Sequence, residues 1–312
     1  MILVSGGTGF IGSAVVKELL RRGEPVAVLG RDAEKIRRRL GTDVEPRVGD
    51  VRAPASLHAA MQGVDVVINA VQFPGSPIEN RRKGWTFEDV DLKGTRNQVD
   101  AARTAGVRRF VYASGVGAAR DAEKHWFRYK WEAEQYVQKS GLEWVIVRPT
   151  WVYGPEDVSL NRFLGFAKLL PFVPIFGDGK QEMQPVFIDD VARVLADAAL
   201  RPGAANQLFE LGGPEVMTMN DVVKTALEVS GKRRPILHQP AFIGKAIGTV
   251  TAILPSPPLS ADAIDFITAP AIADNRHLQD VLHPSLTPLR QGLATYLGES
   301  RTASASAGSA SA

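Results

Sequence analysis

Short apolar runs alternate with amphipathic segments along the first half of the chain. Residues 2–6 form the first run, and a helical pattern follows from about 10 to 22. Residues 25–30 form the second, ahead of a helix that the Asp32 side chain is placed to cap. Residues 44–50 precede a helical stretch at 54–63, and residues 64–71 precede a polar loop and a helix near 91–105. The runs at 107–114 and 142–149 bracket a helix at 121–140. Six apolar strands with five helical crossovers predict an α/β fold built on a doubly wound parallel sheet. Burial on both faces explains why the strands read as continuous apolar runs.

The second half changes character. Prolines cluster at 171–185 and again at 255–258. Residues 185–200 read as a strand end and a helix that rejoins the first domain, and 207–213 as a strand. Thr218 and Asp221 stand in capping-box spacing ahead of a helix. The expected layout is a main domain over 1–155 plus about 185–203. A smaller C-terminal α/β lobe, for substrate or partner, covers about 156–184 and 204–298. The Ala/Ser-rich stretch 299–312 has the composition of a disordered tail.

The first loop gives the main domain its chemistry. Gly6-x-x-Gly9-x-x-Gly12 follows a strand directly and opens a helix directly. In that context the glycines permit a tight turn and let backbone N–H groups approach a pyrophosphate at the positive end of the helix. Thr8, Phe10 and Ile11 lie within the same loop. The second strand ends on Gly30-Arg31, where an NAD site usually carries a carboxylate for the ribose 2′-hydroxyl. A guanidinium pairs with a 2′-phosphate instead, so NADP(H) is expected over NAD(H). Lys35, Arg37, Arg38 and Arg39 follow on the next helix, most of them as a solvated face.

With these features the sequence resembles the extended and atypical short-chain dehydrogenase/reductase superfamily. The motifs are GGTGFIG (6–12), GDV (49–51), NAV (69–71), DLKGTRNQVDAA (91–102), RFVYAS (109–114), RPTWVYGP (148–155) and QPVFIDDVA (184–192). Within it the chain is most similar to bacterial relatives of the reductase-like accessory subunit of respiratory complex I, more than to sugar epimerases. The resemblance implies a Rossmann domain with Asp50 and Val51 beside the adenine. It implies Ala70 and Val71 along the ribose and pyrophosphate path, and Pro149 and Thr150 near the nicotinamide.

The superfamily's chemistry implies a Tyr-x-x-x-Lys pair on one helix, with a serine or threonine after the preceding strand. The lysine lowers the tyrosine pKa, and the tyrosine exchanges a proton with the substrate oxygen. Lys130 matches the lysine, and Trp126 stands four residues earlier. An indole has only an N–H donor and cannot serve as the acid or base. Tyr129 is one residue before Lys130 and about 100° away around the helix, so it is no simple substitute. His125 is also off the Lys130 face. For the serine, Ser114 ends the fifth strand, and Gly115 competes for the same alignment. Lys130 has two readings: a contact to the nicotinamide ribose, or a surface lysine paired with Glu134 at i,i+4.

Composition removes several alternatives. The chain has no cysteine, which excludes disulfide scaffolds, thiolate metal sites and a cysteine nucleophile. Five scattered histidines show no metal-ligand spacing, so no metal is expected. Asp189 and Asp190 read as a helix start. A net charge of +3 is too small to argue nucleic-acid binding. The basic loop Arg81–Lys83 reads as solvated, or as a lure for an anionic ligand. With no targeting segment or membrane-length apolar run, a cytoplasmic location is expected.

Three functions compete. The first is an NADP(H)-binding protein without the usual tyrosine, with a structural, sensory or assembly role and a protein partner on the C-terminal lobe. The second is an active NAD(P)-dependent oxidoreductase, epimerase or dehydratase, on a small carbonyl or nucleotide-sugar-like substrate, using another acid such as Tyr129. The third is membrane-peripheral assembly through residues 241–259, for which a core helix is the plainer reading.

Overall fold

In the computed structural model, which describes residues 1–240, 242 and 271–297, the chain divides into two units. The first holds Met1–Pro149, Ile188–Leu211 and Ala273–Ser285, and the second the remainder. The segment 241–259 and the tail 299–312, singled out in the sequence, lie outside the described residues, Phe242 apart.

The first unit is built on a seven-stranded sheet. Its strands are β1 (Ile2–Ser5), β2 (Val26–Gly30), β3 (Glu45–Val48), β4 (Val66–Asn69), β5 (Arg109–Ala113), β6 (Glu143–Pro149) and β11 (Gln207–Leu211). The order β11-β6-β5-β4-β1-β2-β3 is parallel at every pairing. Strand order reverses between β1 and β4. Such a switch point leaves a crevice outside the carboxyl ends of the strands, where ligands bind in this architecture.

The crossover helices are α1 (Phe10–Arg21), α2 (Ala33–Leu40), α3 (Leu57–Ala60), α4 (Gly94–Thr104) and α5 (His125–Gln138). Asp32 caps α2 by accepting from Lys35 N–H, as its position predicts. α1 buries Val15, Val16 and Leu19 and packs against α7 (Ile188–Leu200). The helix expected near 91–105 is longer than its periodicity suggests. A π-helical stretch at Phe87–Lys93, capped by Thr86, leads into α4. Wide turns of this kind shift side chains off the 3.6-residue pattern.

Two features correct the expected layout. The strand at 207–211 is not part of the smaller lobe; β11 completes the main sheet beside β6, with Phe209 opposite Val147. Its apolar residues Phe209 and Leu211 are fully buried there. Residues 273–285 also belong to the first unit, because α9 (Arg276–Leu282) packs on β11 and stacks His277 on Phe209.

In the second unit β7 (Val152–Tyr153) pairs with β10 (Val186–Phe187), and β8 (Val173–Phe176) with β13 (Ile236–Gln239). β9 (Glu182–Met183) pairs antiparallel with β12 (Met217–Thr218). α6 (Val158–Leu169), α8 (Met219–Val229) and α10 (Leu289–Leu297) complete it. The Thr218–Asp221 capping box opens α8. Among the described residues no helix is long and apolar enough to cross a membrane.

Candidate functional site

A cleft of about 670 Å³ opens in the first unit. Gly6, Thr8, Gly9, Phe10 and Ile11 line it from the first loop, and Ala70 and Val71 from the end of β4. Backbone geometry explains the glycines. Gly6 has a φ of +75°, and a Cβ there would lie 2.5 Å from the Ala70 carbonyl oxygen. A Cβ on Gly12 would collide with the Gly6 backbone, 2.6 Å from its carbonyl carbon. Gly12 therefore seats α1 against the loop and does not itself line the cleft. A Cβ on Gly9 would meet the Gly6 carbonyl oxygen alone, at 3.2 Å.

The mouth of α1 suits an anion. The helix starts at Gly9 with no side-chain cap and no acidic residue in its first turn. Its leading N–H groups and dipole therefore face the cleft uncompensated. At the end of β2 the cleft is lined by Arg31, Asp32 and Lys35. One oxygen of the exposed Asp32 carboxylate accepts the capping bond. Of the basic run on α2, Lys35 reaches the cleft, whereas Arg37 pairs with Glu34 on the surface. Asp50 and Val51 line the cleft after β3, with Arg52 beside them. Both Asp50 carboxylate oxygens accept from Arg52, at 3.1 and 2.7 Å. These bonds, with Arg31 nearby, hold the Asp50 carboxyl below the usual range. Sequence reasoning missed Arg52, Gln72, Phe73 and Trp85 as lining residues. Arg52 directly follows the GDV motif, which was the available signal.

The Lys130 region is organised differently, and none of its residues lines that cleft. Lys130 Nζ lies 3.4 Å from Asp91 Oδ1 and 5.9 Å from the centre of the Tyr112 ring. Asp91 sits on the π-helical stretch, and burial pushes its carboxyl up to about 6 against the pull of Lys130. Thr95 Oγ1 donates to the Asp91 carbonyl, and Asn69 Nδ2 donates to Thr95. Asn69 Oδ1 in turn accepts from Val71 N–H at 3.1 Å. A chain of polar contacts thus joins Lys130 to the wall of the cleft.

The Lys130–Glu134 pair, one of the two readings of Lys130, does not form. Glu134, 1% exposed, binds Arg148 through two bonds of 2.8 and 2.5 Å. Ser114 Oγ donates to the same carboxylate at 2.5 Å, so its proton is directed away from Lys130. Gly115 faces Lys130 instead: a Cβ there would lie 3.6 Å from Lys130 Cδ. Trp126 is 3% exposed and packs beside Phe87 and His125, as a core residue and not over the cleft. Tyr129 meets His125 edge-on, 6.0 Å between ring centres, and desolvation raises its pKa. Pro149 closes β6, and its carbonyl accepts from Val116 N–H. Thr150 begins the second unit and donates to the Gln184 carbonyl at 2.5 Å.

Residues 6–202 match the family model described as NAD(P)H-binding. The chain belongs to the NAD(P)H-binding family. An NAD(P)H azoreductase of Xenophilus azovorans is 32% identical, over 88% of each chain. The mitochondrial NADH dehydrogenase [ubiquinone] 1 alpha subcomplex subunit 9 of Arabidopsis thaliana is 30% identical, over 88% of this chain and 71% of that one. The solved UDP-glucose 4-epimerase of Thermotoga maritima shares the fold with a TM-score of 0.74 and 21% identity, over 97% and 99% of the two chains. The expected placement in the extended short-chain dehydrogenase/reductase-like superfamily, with complex I subunits among the relatives, therefore holds.

Among the described residues no group of three or more His, Cys, Asp or Glu side chains could hold a metal ion.

Proposed function

We propose that the chain binds NADPH in preference to NADH and does not carry out the tyrosine-dependent interconversion of alcohols and carbonyls. The NADPH half of this reading rests on the β2 end of the cleft. Arg31 and Lys35 line it, Asp50 is ion-paired with Arg52, and Asp32 caps α2 through one oxygen. A 2′-phosphate there meets the Arg31 and Lys35 charges, and the Asp50 carboxylate is paired with Arg52. The test is a titration with both dinucleotides. Tighter NADPH binding, reversed in Arg31→Asp, is expected; equal affinities would defeat it.

The second half rests on Lys130. Its i−4 neighbour is the buried Trp126, and the backbone position facing it is Gly115. Neither supplies a hydroxyl. The bound dinucleotide would supply a hydride, while the Lys130 ammonium is paired with the Asp91 carboxyl. The role that follows is that of a dinucleotide-holding protein with a structural, sensory or assembly task, in keeping with its similarity to a complex I subunit. Retention of NADPH without its oxidation by a panel of aldehydes and ketones is the expected result.

A second reading has its own support. The azoreductase relative spans nearly the whole chain at the higher identity. Reduction of an azo compound also needs no tyrosine aimed at a carbonyl oxygen. Loss of NADPH absorbance with an azo dye but not with ketones would favour a reductase over the assembly role.

A further inference from the structure

We propose that Trp85 is the stacking platform for the adenine of the dinucleotide, held at the cleft by a loop that Arg52 ties to Asp50. The proposal rests on dinucleotide binding by this cleft and holds for NADPH and NADH alike, since both carry the base.

Position is the first argument. The pyrophosphate end of the cleft is the mouth of α1, and the residue ending β2 marks the adenosine ribose. The base must lie farther along the same direction, past β2 toward β3. There the lining consists of Gly49–Arg52 after β3, together with Trp85 and Val90 from the segment ahead of α4. Among these residues Trp85 alone has an aromatic ring.

Construction is the second. Asn80 and Trp85 exchange backbone hydrogen bonds of 2.8 and 3.0 Å, closing a short loop. Asn80 Oδ1 caps its turn by accepting from Lys83 N–H, and Gly84 takes a left-handed φ of +62°. Arg52 then donates to the Lys83 and Gly84 carbonyls, at 2.7 and 3.4 Å, while its other nitrogens hold Asp50. The backbone that carries the indole is thereby fixed relative to the end of β3 before any ligand arrives. A preorganised loop loses little conformational entropy on binding.

Chemistry is the third. Lys83 Nζ stands 4.7 Å from the centre of the Trp85 ring, so one face is in cation–π contact. The half-buried ring also borders the cleft, where Arg31, Lys35 and Arg52 gather positive charge. An aromatic surface among cations fits a purine that carries phosphates. Base–aromatic stacking contributes about 1–3 kcal/mol per base.

The test uses the full chain, the variants Trp85→Ala and Trp85→Phe, and four ligands: NADPH, NADH, 2′,5′-ADP and nicotinamide mononucleotide. Trp85→Ala should weaken the three adenine ligands by one common factor, about tenfold or more, and leave nicotinamide mononucleotide unchanged. Trp85→Phe should recover most of the affinity. Tryptophan emission of the wild-type chain should be quenched by 2′,5′-ADP, and that quench should vanish in Trp85→Phe, which also covers an alanine variant that fails to fold. Unchanged affinity of Trp85→Ala for 2′,5′-ADP, or an equal loss for nicotinamide mononucleotide, would overturn the proposal. Wild-type chain that binds neither dinucleotide would remove the dinucleotide reading and this proposal with it, a result visible before any variant is made.

Discussion

The cleft and the Lys130 cluster lie in one unit, and they use polar groups in opposite ways. At the cleft the helix mouth is uncapped, and Arg31 and Lys35 face open space. Around Lys130 charged and polar groups pair inside the core, Lys130 with Asp91, Ser114 and Arg148 with Glu134, and Asn69 with Thr95, while Asp91 Oδ2, Tyr112 Oη and Trp126 Nε1 are buried without a hydrogen bond. Uncommitted donors invite a ligand, whereas paired ones hold a core together. Breaking one of these buried pairs leaves a further polar group unsatisfied at a cost of a few kcal/mol, so the pairs serve stability.

The comparison breaks first, and most severely, at Gly12. A valine there drives its side chain into the Gly6 backbone, which cannot move without disturbing β1. A loss of about 4 kcal/mol or more in chemical denaturation is expected. Gly9→Ala is the control: its Cβ meets a single atom at 3.2 Å, so stability should stay within about 1 kcal/mol while dinucleotide affinity falls. A Gly12→Val chain as stable as wild type would show that the loop yields.

Arg148→Ala tests the other region. It leaves Glu134 buried with the Ser114 hydroxyl as its remaining partner. The expected cost is about 3–5 kcal/mol of folding stability, with dinucleotide affinity of the folded fraction preserved. A loss of affinity at unchanged stability would move this cluster into the binding site.

A pH titration of stability sharpens the contrast. The folded Asp91 carboxyl stands at about 6, above its ordinary value, so the folded chain binds more protons than the unfolded one between about pH 4 and 6. Stability contributed by this group therefore falls as pH rises through that window, by roughly 3 kcal/mol for a shift of this size. Asp157, the buried cap of α6, is pushed up to about 6 as well and acts in the same direction. Asp157→Asn keeps a good capping residue and should remove its share of the slope. Stability that rises with pH from 4 to 6 in this variant and in wild type alike would contradict both assignments.

These two regions were not equally legible in the sequence. The strands, the glycine loop and the basic end of β2 are local signals, each carried by a run of a few adjacent residues. The pairing of Lys130 with Asp91 joins positions far apart in the chain, and the i,i+4 rule pointed to Glu134 instead. Arg148, on the neighbouring strand β6, took that carboxylate. The π-helical stretch was hidden because its wide turns break the helical period on which Asp91 would otherwise be placed. β11 read as a strand, but its partner is decided by the burial of Phe209 and Leu211 against the main sheet, which no local pattern carries.

The smallest effect concerns Lys35, and it asks how far the electropositive edge extends beyond Arg31. Lys35 lines the cleft but is exposed, one turn into α2 from the Asp32 cap. An ammonium in solvent contributes a screened field and no fixed bidentate geometry, so its share of 2′-phosphate binding is about 0.5–1 kcal/mol. Lys35→Ala should weaken NADPH about threefold at low salt and leave NADH unaffected. At 1 M salt, where screening acts over about 3 Å, the two chains should bind NADPH alike. Titrations of both dinucleotides at two ionic strengths read this directly. A salt-independent loss would mean that Lys35 makes a direct, desolvated contact to the phosphate, and an equal loss for NADH would place it on a group that the two dinucleotides share.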